Sequence, residues 1–392
     1  MPRNPVLQPA GIRTALTYAA IFCALGAHLP FWPLWLSDWG LSEAEIGSFT
    51  AAGMVIRVIA GLAVPALADR IDNRRLVLAG VAGFGAIAFA VHGLLDDRTL
   101  LMLATLSTGV VFAGMIPIAD ALGGAAARTA GFSYAPARSM GSLAFLLASL
   151  GVGWLIGKYG IVVAQWWIVV SLALTIWFGA THPGGGKVRQ SVPPRFADLM
   201  QLLSEKRFLV FIGAIGFAQS SHAVLYAYGS LHWRALGVDE GVIGQLWAFA
   251  VGVETLLMLL FGTWLIRRFG AVGAITVSAA AGIVRWAIMM TDPSGAMLWV
   301  LQGFHSLTFA AGHLGGIAFI AAAVPERLAA SAQGMFSSAI GGILVALAMA
   351  GAAVIYPMAG GLTYGVSAVM SAIGLIFAIW LGRIWNGGQT VR

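Results

Sequence analysis

Apolar segments long enough to cross a membrane alternate with short polar segments along almost the whole chain. A helix needs about 20 apolar residues to cross the hydrocarbon core, and a window of that length finds twelve candidates. They lie at residues 14–36, 45–67, 76–95, 99–122, 134–157, 161–181, 208–232, 242–266, 271–290, 296–323, 330–355 and 361–383. The pattern predicts an all-α integral membrane protein with twelve transmembrane helices.

The twelve segments form two similar sets. Residues 40–47 read GLSEAEIG and residues 237–244 read GVDEGVIG, an offset of 197 in a chain of 392 residues. Each string follows an apolar segment that ends in aromatic residues, and each precedes another apolar segment. Because a duplicated array of membrane helices is typical of secondary transporters, we predict two pseudo-symmetric six-helix bundles.

The only long polar segment, residues 182–207, lies between the two sets and is rich in Gly, Pro and basic residues. Such a composition is typical of a linker. We predict an N-terminal bundle at 1–183, a cytoplasmic linker at 184–207 and a C-terminal bundle at 208–392.

Composition and charge support a membrane protein with a defined orientation. Only 9% of the residues are charged, against roughly 25% in soluble domains. With a cytoplasmic N-terminus, sixteen of the 22 Lys and Arg residues fall on the cytoplasmic side, three fall outside and three lie within spans. The net charge of +7 is therefore a topology signal, and its scatter over loops predicts no nucleic-acid partner. We predict a multi-pass protein of the bacterial inner membrane with both termini in the cytoplasm.

Motifs for catalysis or metal binding are absent from the sequence. There is no nucleophile motif, phosphate loop or metal-ligand spacing, and the single cysteine, Cys23, lies in an apolar segment. We therefore expect a protein that is not an enzyme and that uses neither a metal nor an organic cofactor.

The loop after the second span carries a family signature. Residues 65–75 read PALADRIDNRR and resemble the GxLxDRxGRR loop of the major facilitator superfamily, with Pro65 and Asp72-Asn73 in place of the two glycines. The matching residues are Asp69, Arg70, Arg74 and Arg75. The resemblance implies that they form a cytoplasmic gate, which latches the two halves in one conformation. The alternative is a basic inside loop that only follows the charge rule.

Longer matches indicate a branch of that superfamily. LPFWPLWLSDWGLSEAEIG, PIADALGG, GIVRWAIM and FHSLTFAAGHL resemble the 3-phenylpropionate transporter group, which is related to lactose permease and to nucleoside:proton symporters. The resemblance covers nearly the whole chain. It implies the major facilitator fold and proton-coupled transport by alternating access, with protons as the coupling ion.

Ionisable residues inside the spans are candidate functional residues, because each costs at least about 2.5–3.5 kcal/mol to insert near the bilayer centre. They are Arg57, Asp120, Arg138, Glu254 and Arg285, together with His28, His222, His305 and His313. Three arginines exceed two acids, and a surplus positive charge in hydrocarbon needs a counter-ion, water or a lipid headgroup. We expect an anionic substrate, with Arg57, Arg138 and Arg285 as candidates to bind it.

Arg57 and Glu254 are separated by 197 residues, the offset of the repeat, and so occupy equivalent positions in spans 2 and 8. A two-fold related bundle would project both toward a central cavity. Glu254 is the first candidate to carry the coupling proton. The alternative is a structural ion pair between Glu254 and Arg285 or another cation.

Asp120 in span 4 and Arg138 in span 5 form a second candidate pair. Their spacing resembles that of the carboxylate and arginine on the same helices of lactose permease, where both contact the sugar. The resemblance implies a pair that faces the cavity, and a purely structural pair is the alternative.

Span 10 contributes His305 and His313, which lie eight residues apart and can line one broad face of a helix. By resemblance, His305 stands where lactose permease has its proton-pathway histidine, and Thr308 stands where that permease has its proton-carrying carboxylate. A threonine cannot carry that proton, so a proton route must use a histidine or Glu254. Asp120 completes the set of proton-coupling candidates. The alternative for each histidine is a neutral ring that forms hydrogen bonds between helices.

Span 7 places Gln219, His222 and Tyr226 on one helical face, which predicts either a cavity wall or interhelical hydrogen bonding. Phe31 and Trp32 are the aromatic residues of span 1 deep enough to stack on a substrate ring.

These observations predict a proton-coupled symporter of a small, anionic organic solute, with an aromatic monocarboxylate as the best substrate candidate. The alternatives are a sugar or nucleoside symporter and a drug or metabolite:proton antiporter. We expect a monomer in the lipid bilayer.

Overall fold

The computed structural model describes residues 8–71, 73–184 and 196–390, and these residues form helices and no strand. Sixteen α-helices follow one another: α1 Pro9–Asp38, α2 Glu43–Ile71, α3 Arg74–His92, α4 Arg98–Ala130, α5 Tyr134–Tyr159, α6 Val162–Ala180, α7 Phe196–Ser204, α8 Lys206–Ser220, α9 Ala223–Ala235, α10 Glu240–Leu256, α11 Gly262–Met289, α12 Ala296–Gly303, α13 Gly312–Ala323, α14 Glu326–Gly341, α15 Ile343–Ala359 and α16 Tyr364–Ile384. Two π-helical segments, Leu257–Phe261 and Ser306–Ala311, and a 3₁₀ turn at Gly360–Thr363 complete the elements.

Ten helical stretches in the described part of the chain are long and apolar enough to cross a membrane. Two of them, Glu240–Met289 and Glu326–Ile384, are 50 and 59 residues long, and each covers two of the predicted spans. The backbone leaves the helical conformation within each, at Gly270 (φ 70°) and at Gly360 (φ 51°). The all-helical membrane fold is confirmed, and the count of twelve spans stays a prediction.

The chain divides into two compact units. Unit 1 comprises the described residues of Met1–Ser191 and Trp233–Ala248, and unit 2 comprises those of Val192–His232 and Phe249–Arg392. The predicted boundaries at 183/184 and 207/208 stay a prediction.

The helices of unit 1 pack closely through small residues. Helix α1 packs against α5 and α6, and α4 packs against α2 and α3. A Cβ atom added to Gly26 would lie 2.6 Å from the Phe145 carbonyl oxygen, so α1 and α5 approach backbone to backbone. Ser149 Oγ donates to the Gly26 carbonyl over 2.9 Å across the same contact. Small residues at membrane helix interfaces permit this approach.

The duplicated eight-residue strings form equivalent turns. Gly40 ends the turn after α1 with φ 105°, and Gly237 ends the turn after α9 with φ 82°. A left-handed residue after a helix favours glycine, which carries no Cβ. Ser42 then caps α2, because its Oγ accepts from the Glu45 amide over 3.3 Å while its own amide donates to Glu45 Oε2 over 2.8 Å. The Asp239 carboxylate accepts from the amide of Gly241 at the start of α10. The repeat read from the sequence is thus a repeat of local structure.

Acidic partners neutralise two of the three cations predicted to lie outside. Arg98 pairs with Glu45, and Arg234 Nη1 lies 2.7 Å from Asp38 Oδ1 within unit 1. Exposed pairs of this kind contribute at most about 1 kcal/mol each. The pairing leaves the charge rule unaffected, because that rule counts Lys and Arg residues and not the net charge.

Unit 2 is organised around α11 and α8. Helix α16 packs against both, and α13 packs against α11. The rings of Phe211 and Phe319 stack 4.2 Å apart in an apolar cluster of this unit. Large apolar side chains also point outward, including Leu259 at 70% exposure and Met358 at 79%. Continuous apolar surface of this extent suits contact with lipid and is rare on soluble monomers.

The π-helical segment Ser306–Ala311 has two carbonyl groups that side chains of other helices satisfy. Ser278 Oγ donates to the Thr308 carbonyl over 2.6 Å, and Gln219 Nε2 donates to the Phe309 carbonyl over 3.0 Å. Gly312 follows directly, and a Cβ atom there would collide with both donors. π-Helical turns are rare and often mark functional sites. The two π-helical segments follow closely after the two candidate residues Glu254 and His305.

Candidate functional site

A buried polar network occupies the centre of unit 2, and its central residue is Arg285 of α11. The side chain of Arg285 is fully buried. Its Nη2 atom donates to Gln302 Oε1 over 2.7 Å, and its Nη1 atom donates to Thr308 Oγ1 over 2.9 Å and contacts His305 Nδ1 at 3.2 Å. Neutral acceptors therefore hold this buried cation, which must be hydrogen-bonded to be tolerated in the membrane.

His305 lies between that cation and a carboxylate. Its Nε2 atom is 3.2 Å from Glu254 Oε2, while its Nδ1 atom faces Arg285. Arginine can only donate, so Nδ1 accepts and the proton of the neutral ring lies on Nε2. The Nε2–H group of His305 therefore lies in contact with Glu254, and Nδ1 accepts from Arg285. The sequence left open a direct Glu254–Arg285 pair, and the structure places His305 between them.

His222 of the α8–α9 junction joins the same network. Its Nδ1 atom lies 2.9 Å from the Gln219 carbonyl oxygen, and its Nε2 atom lies 3.0 Å from Thr308 Oγ1. Because a carbonyl only accepts, Nδ1 carries the proton and Nε2 accepts from the threonine hydroxyl. Thr308 therefore donates to His222 and accepts from Arg285. Sequence reasoning considered Thr308 only for lacking a carboxylate and missed its position between two functional candidates.

The remaining candidates of unit 2 lie around this network. Tyr226 stacks on His222 with ring centroids 5.8 Å apart. His313 lies two residues beyond the π-helical segment, stacks on Phe309 at 6.1 Å and interacts electrostatically with Glu254. Gln219 is buried and bonded to the π-helical segment, which is the interhelical hydrogen bonding that the sequence offered as one alternative.

Unit 1 holds a second polar cluster, centred on Asp120 of α4. Asp120 Oδ1 accepts from the hydroxyls of Tyr18, at 2.6 Å, and Tyr134, at 2.9 Å, and lies 3.3 Å from Arg138 Nε. The guanidinium carbon of Arg138 is 4.9 Å from the centroid of the Tyr18 ring and 4.7 Å from that of Phe22. The Asp120–Arg138 pair predicted from the sequence is present, and it is surrounded by aromatic rings.

Sequence reasoning missed the three aromatic residues of this cluster. Tyr134 lies four residues before Arg138, one helical turn away, and this spacing is a signal that could have been read. Tyr18 and Phe22 come from α1 and carry no comparable signal, because only the packing of α1 against α4 and α5 brings them to the pair.

An aromatic cluster surrounds the other sequence candidates of unit 1. Trp32 stacks on Trp35 with centroids 4.7 Å apart and lies against His28, which interacts electrostatically with Arg57. Phe31 is fully buried, and its ring tip lies near Gly153 and Gly244. In this conformation both predicted stacking residues, Phe31 and Trp32, are packed against protein.

The predicted gate residues lie at the end of one helix and the start of the next. Helix α2 continues to Ile71, and Asn73 caps α3 by accepting from the Leu76 amide over 3.1 Å. Arg70 lies on the exposed surface of α2, and Arg74 and Arg75 begin α3. The side chain of Asp69 and the whole of Asp72 lie outside the described part of the chain.

Arg75 has a neighbour that the sequence did not single out, His182 after α6. The Gly184 amide donates to His182 Nδ1 over 3.0 Å, so the proton lies on Nε2, 3.2 Å from Thr14 Oγ1. Burial, together with the positive charge of Arg75, lowers the pKa of His182 to about 4. His182 is therefore a neutral hydrogen-bonding residue at neutral pH.

No three His, Cys, Asp or Glu side chains within the described ranges come together as a metal site. Each of the two clusters holds charged groups by contacts between membrane-crossing helices. Fold and site together define a multi-pass integral membrane transporter. The chain belongs to the MFS_1 like family, whose model matches residues 12–370. The members of this family and the relatives of the chain are transporters and not enzymes.

Relatives of this chain match more than four fifths of its length. The "Probable 3-phenylpropionic acid transporter" of Escherichia coli (strain K12) is 29% identical over 367 residues, which cover 92% of this chain and 94% of the relative. The maltose permease of Geobacillus stearothermophilus is 25% identical over 341 residues, which cover 84% and 83%.

Solved structures share the fold. The nucleoside transporter NupG, as its D323A mutant, superposes with a TM-score of 0.81 at 17% identity and covers 96% of this chain and 99% of its own. A bacterial homologue of the iron transporter ferroportin, in an inward-facing state, superposes with a TM-score of 0.72 at 15% identity, over 96% and 99% of the two chains. The major facilitator fold expected from the resemblance is confirmed.

Proposed function

We propose that this transporter is a symporter that moves a small aromatic monocarboxylate together with protons. The observation that carries the proposal is the chain of contacts Arg285–His305–Glu254. It holds a fixed cation, a neutral ring and a titratable carboxylate in one buried network. Such groups inside a membrane protein mark ion pathways.

The coupling proton binds Glu254 in this proposal. A second proton on His305 would have to lie on Nδ1, which faces the Nη1 hydrogens of Arg285 at 3.2 Å. Two donors would then oppose each other, so an incoming proton goes to the carboxylate. Protonation weakens the charge-assisted bond from His305 Nε2, because a neutral acid is a poorer acceptor than a carboxylate. The network therefore differs between the two protonation states, as coupling requires.

The substrate carboxylate is proposed to bind Arg138. The donors Nη1 and Nη2 of the fully buried Arg285 are bonded to protein, whereas Arg138 is half-buried and lies beside two aromatic rings. A cation flanked by aromatic rings suits an aromatic acid, whose ring and carboxylate need different partners. Arg57, near the ring of His28, is the second candidate. The relative named as a probable 3-phenylpropionic acid transporter supports this substrate class.

A neutral hydroxylated solute is the second candidate substrate. Asp120 already neutralises Arg138 and accepts two tyrosine hydroxyls, bonds that sugar hydroxyls can replace. The maltose permease relative supports this alternative.

We propose a monomer in the bacterial inner membrane with cytoplasmic termini and the N-terminal and C-terminal bundles at 1–183 and 208–392. The Asp69, Arg70, Arg74 and Arg75 loop is proposed as the cytoplasmic gate, and Asp120 and His313 as further groups that take part in proton coupling.

The test uses proteoliposomes that contain a pH-sensitive dye. We would add 3-phenylpropionate, maltose and a nucleoside in turn to wild type, Glu254→Gln and Glu326→Gln. Glu326 is an exposed glutamate at the start of α14 and serves as the matched control. Empty liposomes measure the proton leak of the weak acid itself.

We expect protein-dependent acidification with 3-phenylpropionate in wild type and Glu326→Gln, and none in Glu254→Gln. Acidification with maltose or the nucleoside alone would replace the aromatic acid by a neutral solute. Alkalinisation would replace symport by antiport. Equal acidification in Glu254→Gln and wild type would remove Glu254 as the proton carrier.

A further inference from the structure

A second polar cluster of unit 2 is separate from the network described above. It lies at the end of the unit that contains the loop between α11 and α12, which is called the far end here. His232, near the end of α9, is buried, and its Nε2 atom lies 2.9 Å from Asp292 Oδ1. Its Nδ1 atom lies 3.1 Å from the hydroxyl oxygen of Tyr356 on α15. Asp292 belongs to the loop between α11 and α12, and its side chain is 48% exposed. One ring nitrogen thus faces a surface carboxylate and the other faces a buried hydroxyl.

The backbone holds that carboxylate in place at some cost. Asp292 has φ 51°, a left-handed conformation that is uncommon for residues other than glycine. Its Oδ1 atom lies so close to Gly361 that a Cβ atom at that position would collide with it. Strained residues of this kind persist where the surrounding structure enforces them, and they cluster at functional sites.

A row of buried hydroxyls runs along α16 from this cluster. Tyr364, Ser367 and Ser371 are spaced by three and four residues and so share one helical face. All three residues are fully buried. Within the described part of the chain, their hydroxyl oxygens have no hydrogen-bond partner. Buried hydroxyls are satisfied by protein or by ordered water, and a seam lined by several of them suits water.

This face of α16 packs against the part of α11 that contains Arg285. The Tyr364 ring stacks on Trp286, the next residue along α11, with centroids 5.9 Å apart, and the Ser371 side chain lies against Gly282. Tyr364 interacts electrostatically with both Arg285 and Asp292. The hydroxyl row therefore begins beside His232 and Asp292 and reaches the helix that holds the buried network.

We infer that this seam between α11 and α16 conducts protons between the far end of unit 2 and the Glu254 network, and that His232 is the group through which they enter. The inference rests on the proposed proton coupling. The titratable groups that face His232 are Asp292 from the loop, Tyr356 from α15 and Tyr364 from α16, with Tyr228 on α9 itself stacked on Tyr356.

The transfer needs no reactant other than water and a proton. A proton from solution binds the ring of His232 and makes the imidazolium, which the Asp292 carboxylate stabilises through Nε2. The Nδ1 proton then leaves toward the Tyr356 oxygen as the hydroxyl proton of Tyr356 moves into the seam. Each step breaks one N–H or O–H bond and forms another.

The experiment separates proton entry from substrate movement. Proteoliposomes would report the initial rate of substrate-driven proton influx and, separately, the exchange of labelled 3-phenylpropionate at equal concentrations on both sides. The variants are His232→Gln and Asp292→Asn. Asp239→Asn, an exposed aspartate in the loop between α9 and α10, is the matched control.

We expect His232→Gln and Asp292→Asn to slow proton influx at least about tenfold, as loss of a proton-transfer group does, while exchange stays within about twofold of wild type. The control should match wild type in both assays. If His232→Gln fails to fold, the surface variant Asp292→Asn carries the test.

Influx as fast as in the control, or a parallel fall of influx and exchange, would overturn the inference. The experiment distinguishes failure of this inference from failure of the proposed function. Wild type without substrate-driven proton influx would defeat the proposed function, whereas influx lost in Glu254→Gln but kept in both entry variants would defeat only the route.

Discussion

Thr308→Val tests the buried network by replacing one hydroxyl with a methyl group of nearly the same volume. In the structure Thr308 Oγ1 accepts from Arg285 Nη1 over 2.9 Å and lies 3.0 Å from His222 Nε2, to which it donates. Valine makes neither bond. The surrounding packing should change little, so the stability change reports the hydrogen bonds.

The expected loss can be estimated from the two contacts. A hydrogen bond from a charged group contributes about 1.5–3 kcal/mol, and a buried acceptor left without a donor costs about 1–3 kcal/mol. Arg285 keeps its bonds to Gln302 and His305, so part of the loss is recovered. We expect Thr308→Val to lower the free energy of unfolding by about 2–4 kcal/mol.

The assay is reversible unfolding of the purified protein in detergent, followed by tryptophan fluorescence and circular dichroism. Thr308→Ser keeps the hydroxyl and should lose less than about 1 kcal/mol. Thr276→Val is the matched control, because the hydroxyl of Thr276 bonds only the Val272 carbonyl of its own helix, at 2.9 Å. A loss for Thr308→Val no larger than that for Thr276→Val would refute the reasoning.

Protonation of His182, close packing at Gly244 and the charge of Asp120 each have a measurable effect. The pKa of His182 in the folded protein, about 4, lies below the ordinary value of 6.5. The stability that neutral His182 contributes is therefore fully present above pH 6.5 and is lost as the pH falls toward 4. Wild type should lose about 2 kcal/mol between about pH 7.5 and pH 5 that His182→Gln does not lose, as measured by unfolding at both pH values. Gly244→Ala brings a Cβ atom against a backbone carbonyl of α5 and should destabilise by about 1–3 kcal/mol, whereas Gly157→Ala, with open space around it, should not; equal unfolding midpoints would contradict this. Asp120→Asn removes the charge that neutralises Arg138 and, under the proposed function, should tighten binding of 3-phenylpropionate about threefold to tenfold while leaving maltose unimproved, as measured by calorimetry.

Hydropathy and the repeat predicted most of the fold because both depend on local sequence. The turns at Gly40 and Gly237 have the same handedness and are followed by the same kind of capped helix start. The Asp120–Arg138 pair was also predictable, since a carboxylate and an arginine inside a membrane need partners.

The geometry of the networks could not be read from the sequence. The π-helical segment Ser306–Ala311 shifts the helix that carries His305 by a register change that leaves no hydropathy signal. His305, just before this segment, lies between Glu254 of α10 and Arg285 of α11, a placement that depends on how these helices pack. Tyr18 joins Asp120 from 102 residues away, and only the packing of α1 brings it there.

The π-helical segment Ser306–Ala311 also has a consequence for how this chain tolerates changes in length. A π-helical turn accommodates one residue more than an α-helical turn over the same rise, so the extra residue does not rotate the helix beyond it. Deleting one residue there should leave α13 with the same face toward α11, whereas a deletion within α13 would turn the remainder by about 100°. The shortened segment would no longer present the carbonyls that Ser278 and Gln219 bind. Within this helix, the segment is where evolution could change chain length by one residue and alter the network without rebuilding the bundle.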